Sequence, residues 1–361
     1  MIYKIASFVT LILFVACSED MPTTNSLLDI PFEPTAYDLD IPDHFPPMII
    51  PQDNPLTDQG VALGRRLFYD PILSADNTLS CSSCHLPEGS FTDNNSVSVG
   101  IDGIAGQRSS MSLLDIGFNN NGLFWDGRVA TLEEQALLPV EDPIELHHTW
   151  PDVISELKSH ELYPRLFREA FGITDTTAIT KELAAKALAQ FERTLISSGQ
   201  SRYDQIIDGL AVFTDEELLG HNIFFDIEPD VSRHAECGHC HNAPLFTTNE
   251  YFNNGLDNPD EGNLTDIGRG EVTGTAFDNG KFRVPTLRNI FKSAPYMHDG
   301  RFSSFEDVLD HYDTQVKFSR NVDPNLRVLN LSETDRAALI AFIKTLEDPV
   351  FTSDPRFQSP F

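Results

Sequence analysis

The sequence predicts a mainly helical protein built from two small domains of one kind in tandem, and three observations carry that expectation. The pattern Cys-x-x-Cys-His occurs twice, as Cys81-Ser82-Ser83-Cys84-His85 and as Cys237-Gly238-His239-Cys240-His241. Each copy follows the same helical phrase at the same distance. Gly64-Arg65-Arg66-Leu67-Phe68-Tyr69-Asp70 matches Gly220-His221-Asn222-Ile223-Phe224-Phe225-Asp226, and Gly64 stands as far before Cys81 as Gly220 before Cys237. Such a fixed offset is what duplication of one unit leaves behind. Finally, no strand-rich block and no nucleotide-binding glycine loop occurs anywhere in the chain.

Each motif reads as the attachment signature of a c-type haem. The two thiols add to the haem vinyl groups, and the adjacent histidine is held where its imidazole can bind iron. Zinc needs four ligands and a redox Cys-x-x-Cys only two thiols. Neither explains a histidine directly after the second cysteine, twice, in a chain with one other cysteine. The expectation is two haem c groups, attached at Cys81 and Cys84 and at Cys237 and Cys240, with His85 and His241 on the irons. The fold class is then mainly α, with two cytochrome c-like haem domains in tandem.

A chain of 361 residues has room for two domains. Its formal net charge of −30 argues against nucleic acid and against an anionic membrane surface. An acidic face can steer a cationic redox protein into contact, although solubility is the plainer reading. Of five cysteines, four belong to the motifs, so Cys17 is alone and no pair is left for a disulfide.

Taken in order, residues 1–17 carry Lys4, an apolar run from Ile5 to Ala16, and then Cys17. The run is too short to span a bilayer, which takes ~20 residues, and reads as a signal peptide. A small residue just before a cysteine resembles a bacterial lipobox, in which Cys17 would be acylated. An ordinary cleaved signal or an uncleaved anchor are the alternatives; all three export the chain to the cell envelope or periplasm, where bacteria attach haem c. Residues 18–52 are rich in Pro, Asp and Thr without helical period and read as an extended tether. Residues 53–200 would form the first domain. Thr57-Asp58 caps a helix through Leu63, Leu67 and Phe68 that ends before Pro71. Pro151 to Leu157 and Lys181 to Leu195 read as helices, the second with Leu183, Ala187, Phe191 and Leu195 on one face. Residues 201–361 would form the second domain. Thr214-Asp215 opens its first helix, and a helix starting at Ser332-Glu333 buries Leu339, Phe342, Ile343 and Leu346 to close it. Ala243 to Arg283 reads as loop.

Several stretches resemble the bacterial di-haem cytochrome c peroxidase/MauG family: Gly64 to Pro71, the first haem motif, Phe124-Trp125-Asp126-Gly127-Arg128, Val284 to Asn289, and Ala294 to Gly300. They fall in the family's order from about Thr57 to Leu346. The resemblance implies a peroxide-reacting haem at His85 and an electron-transfer haem at His241. It also implies hydrogen peroxide as substrate, a small cytochrome c or cupredoxin as donor, and often a homodimer. The family's distal pair, a glutamine and a glutamate ten residues apart, corresponds to Gln135 and Glu145. A carboxylate can take a proton from peroxide and return it to the outer oxygen, while an amide orients the molecule. Read without the resemblance, Glu145 is an acid in an exposed loop. Trp125 corresponds to the tryptophan between the haems, or is simply a core aromatic.

Two departures matter. Many family peroxidases carry a Gly-His-Gly loop whose histidine blocks the peroxide iron. Here the loop is Gly100-Ile101-Asp102-Gly103, and no histidine occurs between His85 and His147, which implies an open pocket in the resting enzyme. Where those members place a methionine ligand fourteen residues after His298, this chain has Tyr312, as MauG does. A phenolate favours ferric iron and lowers the potential, whereas a thioether raises it; His311 and Met297 are the competing ligands. MauG-like oxidation of a partner protein is therefore the second functional expectation. A family calcium site maps to Ser109, Ser293 and Pro295, where serine is a poorer hard-cation ligand than asparagine but backbone carbonyls could serve, so the resemblance leaves calcium as a possible second cofactor.

Overall fold

The computed structural model describes residues 25–227 and 235–361. Cys17 and the leader before it lie outside the described residues. Among those described, helices dominate, and the single sheet pairs Tyr251–Phe252 antiparallel with Phe282–Arg283. No helix among them is long and apolar enough to cross a membrane.

Local chemistry sets the helix starts. The Thr57 hydroxyl accepts from the Gly60 amide to begin Asp58–Tyr69, and Asp70 ends it by capping the Pro71 turn. Thr214 with Glu217 and Ser332 with Asp335 form reciprocal capping boxes that begin Asp215–Phe224 and Glu333–Lys344. The helix expected from Lys181 to Leu195 stops at Glu192.

The two halves repeat one helix crossing. Asp58–Tyr69 packs on Lys181–Glu192, and Asp215–Phe224 packs on Glu333–Lys344. A Cβ on Gly64 would stand 1.8 Å from the Ala187 carbonyl oxygen, and one on Gly220 would stand 1.9 Å from that of Ala338. Only glycine lets the helices meet so closely. Four residues beyond each alanine, a phenylalanine fills the space beside the crossing. Phe191 lies 5.2 Å from Phe68, and Phe342 lies 5.1 Å from Phe224, ring centroid to centroid. Each crossing anchors its own hydrophobic core.

Two segments depart from the expected division. Residues 25–52 lack helix, but they are a strap and not a free tether. Leu27 and Phe45 are buried, Phe45 packs edge-on against Phe118 at 5.8 Å, and His44 Nε2 lies 2.9 Å from the Asp204 carboxylate. Single apolar side chains seated in surface clefts have no period, so composition reads them as linker. At the other end, residues after Leu346 leave the second half and return to the first. Phe351 and Phe357 join its core, the Tyr69 hydroxyl donates to the Phe357 carbonyl at 2.5 Å, and Arg65 donates to the carbonyls of Pro355 and Gln358.

Candidate functional site

Each Cys-x-x-Cys-His stretch is one helical turn, Cys81–Cys84 and Cys237–Cys240, with the histidine as its C-cap. Residues three apart share a helix face, so both thiols of a motif point the same way. His85 Nδ1 lies 2.8 Å from the Phe91 carbonyl, and His241 Nδ1 lies 3.2 Å from the Phe246 carbonyl. A carbonyl only accepts, so the proton sits on Nδ1 and Nε2 presents its lone pair. Both phenylalanines hold left-handed backbone, φ 64° and 53°, a conformation uncommon for bulky residues, Phe91 six residues after His85 and Phe246 five after His241. Burial keeps both imidazoles neutral, drawing His85 down and His241 down to about 4.

The first motif opens into a cavity of about 840 Å³ that Cys81, Cys84, His85, Trp125, Gln135 and Glu145 all line, a volume typical of cofactor pockets. Gln135 ends the short helix Leu132–Gln135, which Thr131 caps. Glu145 follows the Leu138–Glu141 turn, and its amide donates to the Asp142 carbonyl. Burial, reinforced by the nearby Asp142 charge, pushes the Glu145 carboxyl up to about 7 against the pull of Arg128. A group at that value holds and releases a proton with equal ease near neutrality. The loop from Gly100 to Gly103 is clasped to the same segment. The Ile101 amide donates to the Glu145 carbonyl at 3.0 Å, and Asp102 lies 2.5 Å from His147 Nδ1.

Glu192, at the end of its helix, also faces this cavity. Its Oε2 has no hydrogen-bond partner among the described residues, and burial pushes its carboxyl up to about 8.

The second cavity is lined by Cys237, Cys240, His241, Tyr312 and Met297. Tyr312 sits in a single π-helical turn, His311–Gln315, a distortion frequent at functional sites. Asn254 Nδ2 donates to the Tyr312 hydroxyl at 3.3 Å and reaches Met297 Sδ at 3.5 Å. Burial pushes the phenol up to about 12. His311 instead engages the Asn254 carbonyl through Nε2 at 3.0 Å.

A shared wall separates the cavities. Trp125, Ser109, Met111 and Arg283 line both. The Trp125 indole donates to the Ser109 carbonyl at 2.9 Å, and its own carbonyl accepts from the Arg283 amide at 2.8 Å. Neighbouring Asp126 is buried and anchors Arg108 and Arg128, which fixes the loop that presents the ring.

Ser109, Ser293 and Pro295, the positions of the expected calcium site, all line the second cavity. The Ser109 hydroxyl donates to the Met297 carbonyl at 3.0 Å and the Ser293 hydroxyl to that of Ile290 at 3.1 Å. A hydroxyl so engaged turns its proton away and leaves its lone pairs as a neutral oxygen donor, and calcium takes six to eight oxygens, carbonyls among them. Among the described residues no group of three or more His, Cys, Asp or Glu side chains could hold a metal ion.

A family model described as di-haem cytochrome c peroxidase matches residues 58–211. The methylamine utilization protein MauG of Methylorubrum extorquens is 34% identical over 302 residues, covering 82% of this chain and 80% of that protein. The cytochrome c551 peroxidase of Nitrosomonas europaea is 33% identical over 285 residues, covering 79% and 78%. The chain belongs to the di-haem cytochrome c peroxidase/MauG family. A crystal structure of a MauG-like protein associated with microbial copper homeostasis has a TM-score of 0.83 and 34% identity, covering 90% of this chain and 99% of that one. Membership in this family implies two haem c groups. The paired thiols and bare histidine nitrogens that line the two cavities, and Arg283 in the shared wall, suit that cofactor.

Sequence reading missed Glu192, Asn254 and Arg283. Each is a lone polar residue whose significance comes from what the fold leaves beside it, and no local spacing marks it.

Proposed function

We propose that the protein is an exported di-haem peroxidase that reduces hydrogen peroxide to water with electrons from a small cytochrome c or cupredoxin. The observation that carries this reading is the meeting of Glu145 and Gln135 with the first haem motif in one cavity. Haem c bound there supplies the redox chemistry that splits the oxygen–oxygen bond. The overall balance is H2O2 with two electrons and two protons giving two waters. Glu145 takes the proton from one peroxide oxygen and returns it to the other as that oxygen leaves, a task matched to a carboxyl near neutrality. The Gln135 amide orients the peroxide. Trp125, in the wall between the cavities, connects the electron-receiving site at His241 to the reacting one.

With Gly100-Ile101-Asp102-Gly103 in place of a histidine loop, the pocket is open in the ferric state and turnover needs no prior reduction. The charge of −30 suits a cationic donor. Acylation at Cys17 would hold the enzyme at a membrane of the envelope. Tyr312 in the second cavity favours a second reading, MauG-like oxidation of a partner protein, because a phenolate ligand at His241 iron would stabilise oxidised states.

The test is peroxide-driven oxidation of a reduced small cytochrome by the as-isolated ferric protein, alongside Glu145→Gln. Repeated turnover, slowed at least about tenfold in the variant with both haems retained, is the expected result. An equal rate in the variant removes Glu145 from the chemistry. Negligible turnover with a persistent oxidised spectrum favours the second reading.

A further inference from the structure

Arg283 is a buried cation without an anionic partner among the described residues. Its residue is 6% exposed, yet among the described residues it has no carboxylate partner. Nη1 donates to the Asn249 side-chain oxygen at 2.8 Å, Nη2 reaches only the Met111 sulfur at 3.6 Å, and Nε has no hydrogen-bond partner. The other two buried arginines among the described residues, Arg288 and Arg193, are neutralised, as is the half-buried Arg108. Arg288 pairs with Asp204 at 2.7 Å with both side chains fully buried, Arg193 pairs with Glu133 at 2.7 Å, and Arg108 pairs with Asp126 and Asp266. Burial without a counter-ion draws Arg283 down to about 10. An uncompensated buried charge is strongly destabilising, as is the removal of one partner from a buried pair.

The position of this charge tells what completes it. Arg283 lines both haem cavities, and its amide is bonded to the Trp125 carbonyl in their shared wall. The guanidinium is a planar donor that matches a carboxylate bidentately. Each haem c carries two propionate carboxylates. We propose that Arg283 is the counter-cation for haem propionate at the junction of the two cavities, and so a positioning residue that sets haem potential beside Trp125. Asn249 holds one end of the guanidinium and leaves its Nε edge for the propionate. The inference needs two haem c groups and does not depend on which oxidant the enzyme uses.

A cation near a haem favours the reduced state, so its removal lowers the potential. Full-length Arg283→Gln, with both haems counted by mass, is titrated optically for the two midpoint potentials. The expected result is a tenfold or larger shift toward the oxidised form for at least one haem, about 59 mV for one electron. Arg283→Lys, which restores the charge, should recover most of that shift. Two potentials unchanged in a di-haem Arg283→Gln protein would overturn the assignment. If that variant does not retain both haems, the propionate-bending band in the resonance Raman spectrum of Arg283→Lys decides. A displaced band supports the pairing, because an ammonium cannot reproduce the bidentate contact, and an unmoved band overturns it.

Discussion

Asn254 donates its side-chain amide to the hydroxyl of Tyr312 across 3.3 Å. With the phenol on iron, this bond would draw electron density away from the oxygen and moderate its donor strength. The two residues then act on the second haem in opposite directions. Tyr312→Met should raise its midpoint potential, since a thioether replaces a phenolate. Asn254→Leu should lower it by freeing the phenolate to donate more strongly. Redox titration of both variants checks this, and a potential indifferent to Tyr312→Met leaves Met297, which shares the cavity, as the ligand.

Glu192 carries a pH signature. Its carboxyl is raised from an ordinary 4.5 to about 8 in the folded chain. Between those values the unfolded chain has released the proton while the folded chain keeps it. The folded state therefore binds more protons, and stability falls as pH rises, by at most about 1.4 kcal/mol per unit. Glu192→Gln should remove that loss. Thermal melts at pH 5 and pH 8 should show the variant gaining on the parent at the higher pH. The comparison is cleanest from pH 7 to 8, because Glu145, raised to about 7, adds a slope of the same sign below that. Parallel pH dependences would mean that Glu192 finds a partner once haem is attached.

The helix crossings give a stability test that leaves the cavities alone. Gly64→Ala and Gly220→Ala would each drive a methyl into a carbonyl oxygen closer than 2 Å. Neither backbone can yield without parting the helices. Each substitution should cost ~1–3 kcal/mol, the usual range for overpacking. Gly106→Ala, away from the crossings although Gly106 lines the first cavity, is the control, since the nearest atom to its Cβ would be 3.6 Å away, and it should stay within about 0.5 kcal/mol of the parent. Denaturant melts of the three variants measure the difference.

These glycines also show why much of the architecture was legible. Gly64 and Gly220 stand in register before their motifs, and the caps Thr57, Thr214 and Ser332 are read from a few adjacent residues. Signals of that kind are local and repeat. Asn254 and Arg283 are different. One lies in a loop and the other in a two-residue strand, and each matters because of an atom brought to it from far along the chain. The strap fails for a related reason. Leu27 and Phe45 are isolated apolar residues in a Pro- and Asp-rich stretch, and only the clefts that receive them distinguish a strap from a spacer.

His44 reaches across to Asp204, while Phe351 and Phe357 come back to the first core. The duplicated halves thus hold each other by exchanged ends, in the manner of two hands each gripping the opposite wrist. A hinge between them would have to break both grips together. If electrons pass at Trp125 as proposed, the rate across that wall should follow the driving force between the haems and not domain motion, because such motion would have to break these contacts.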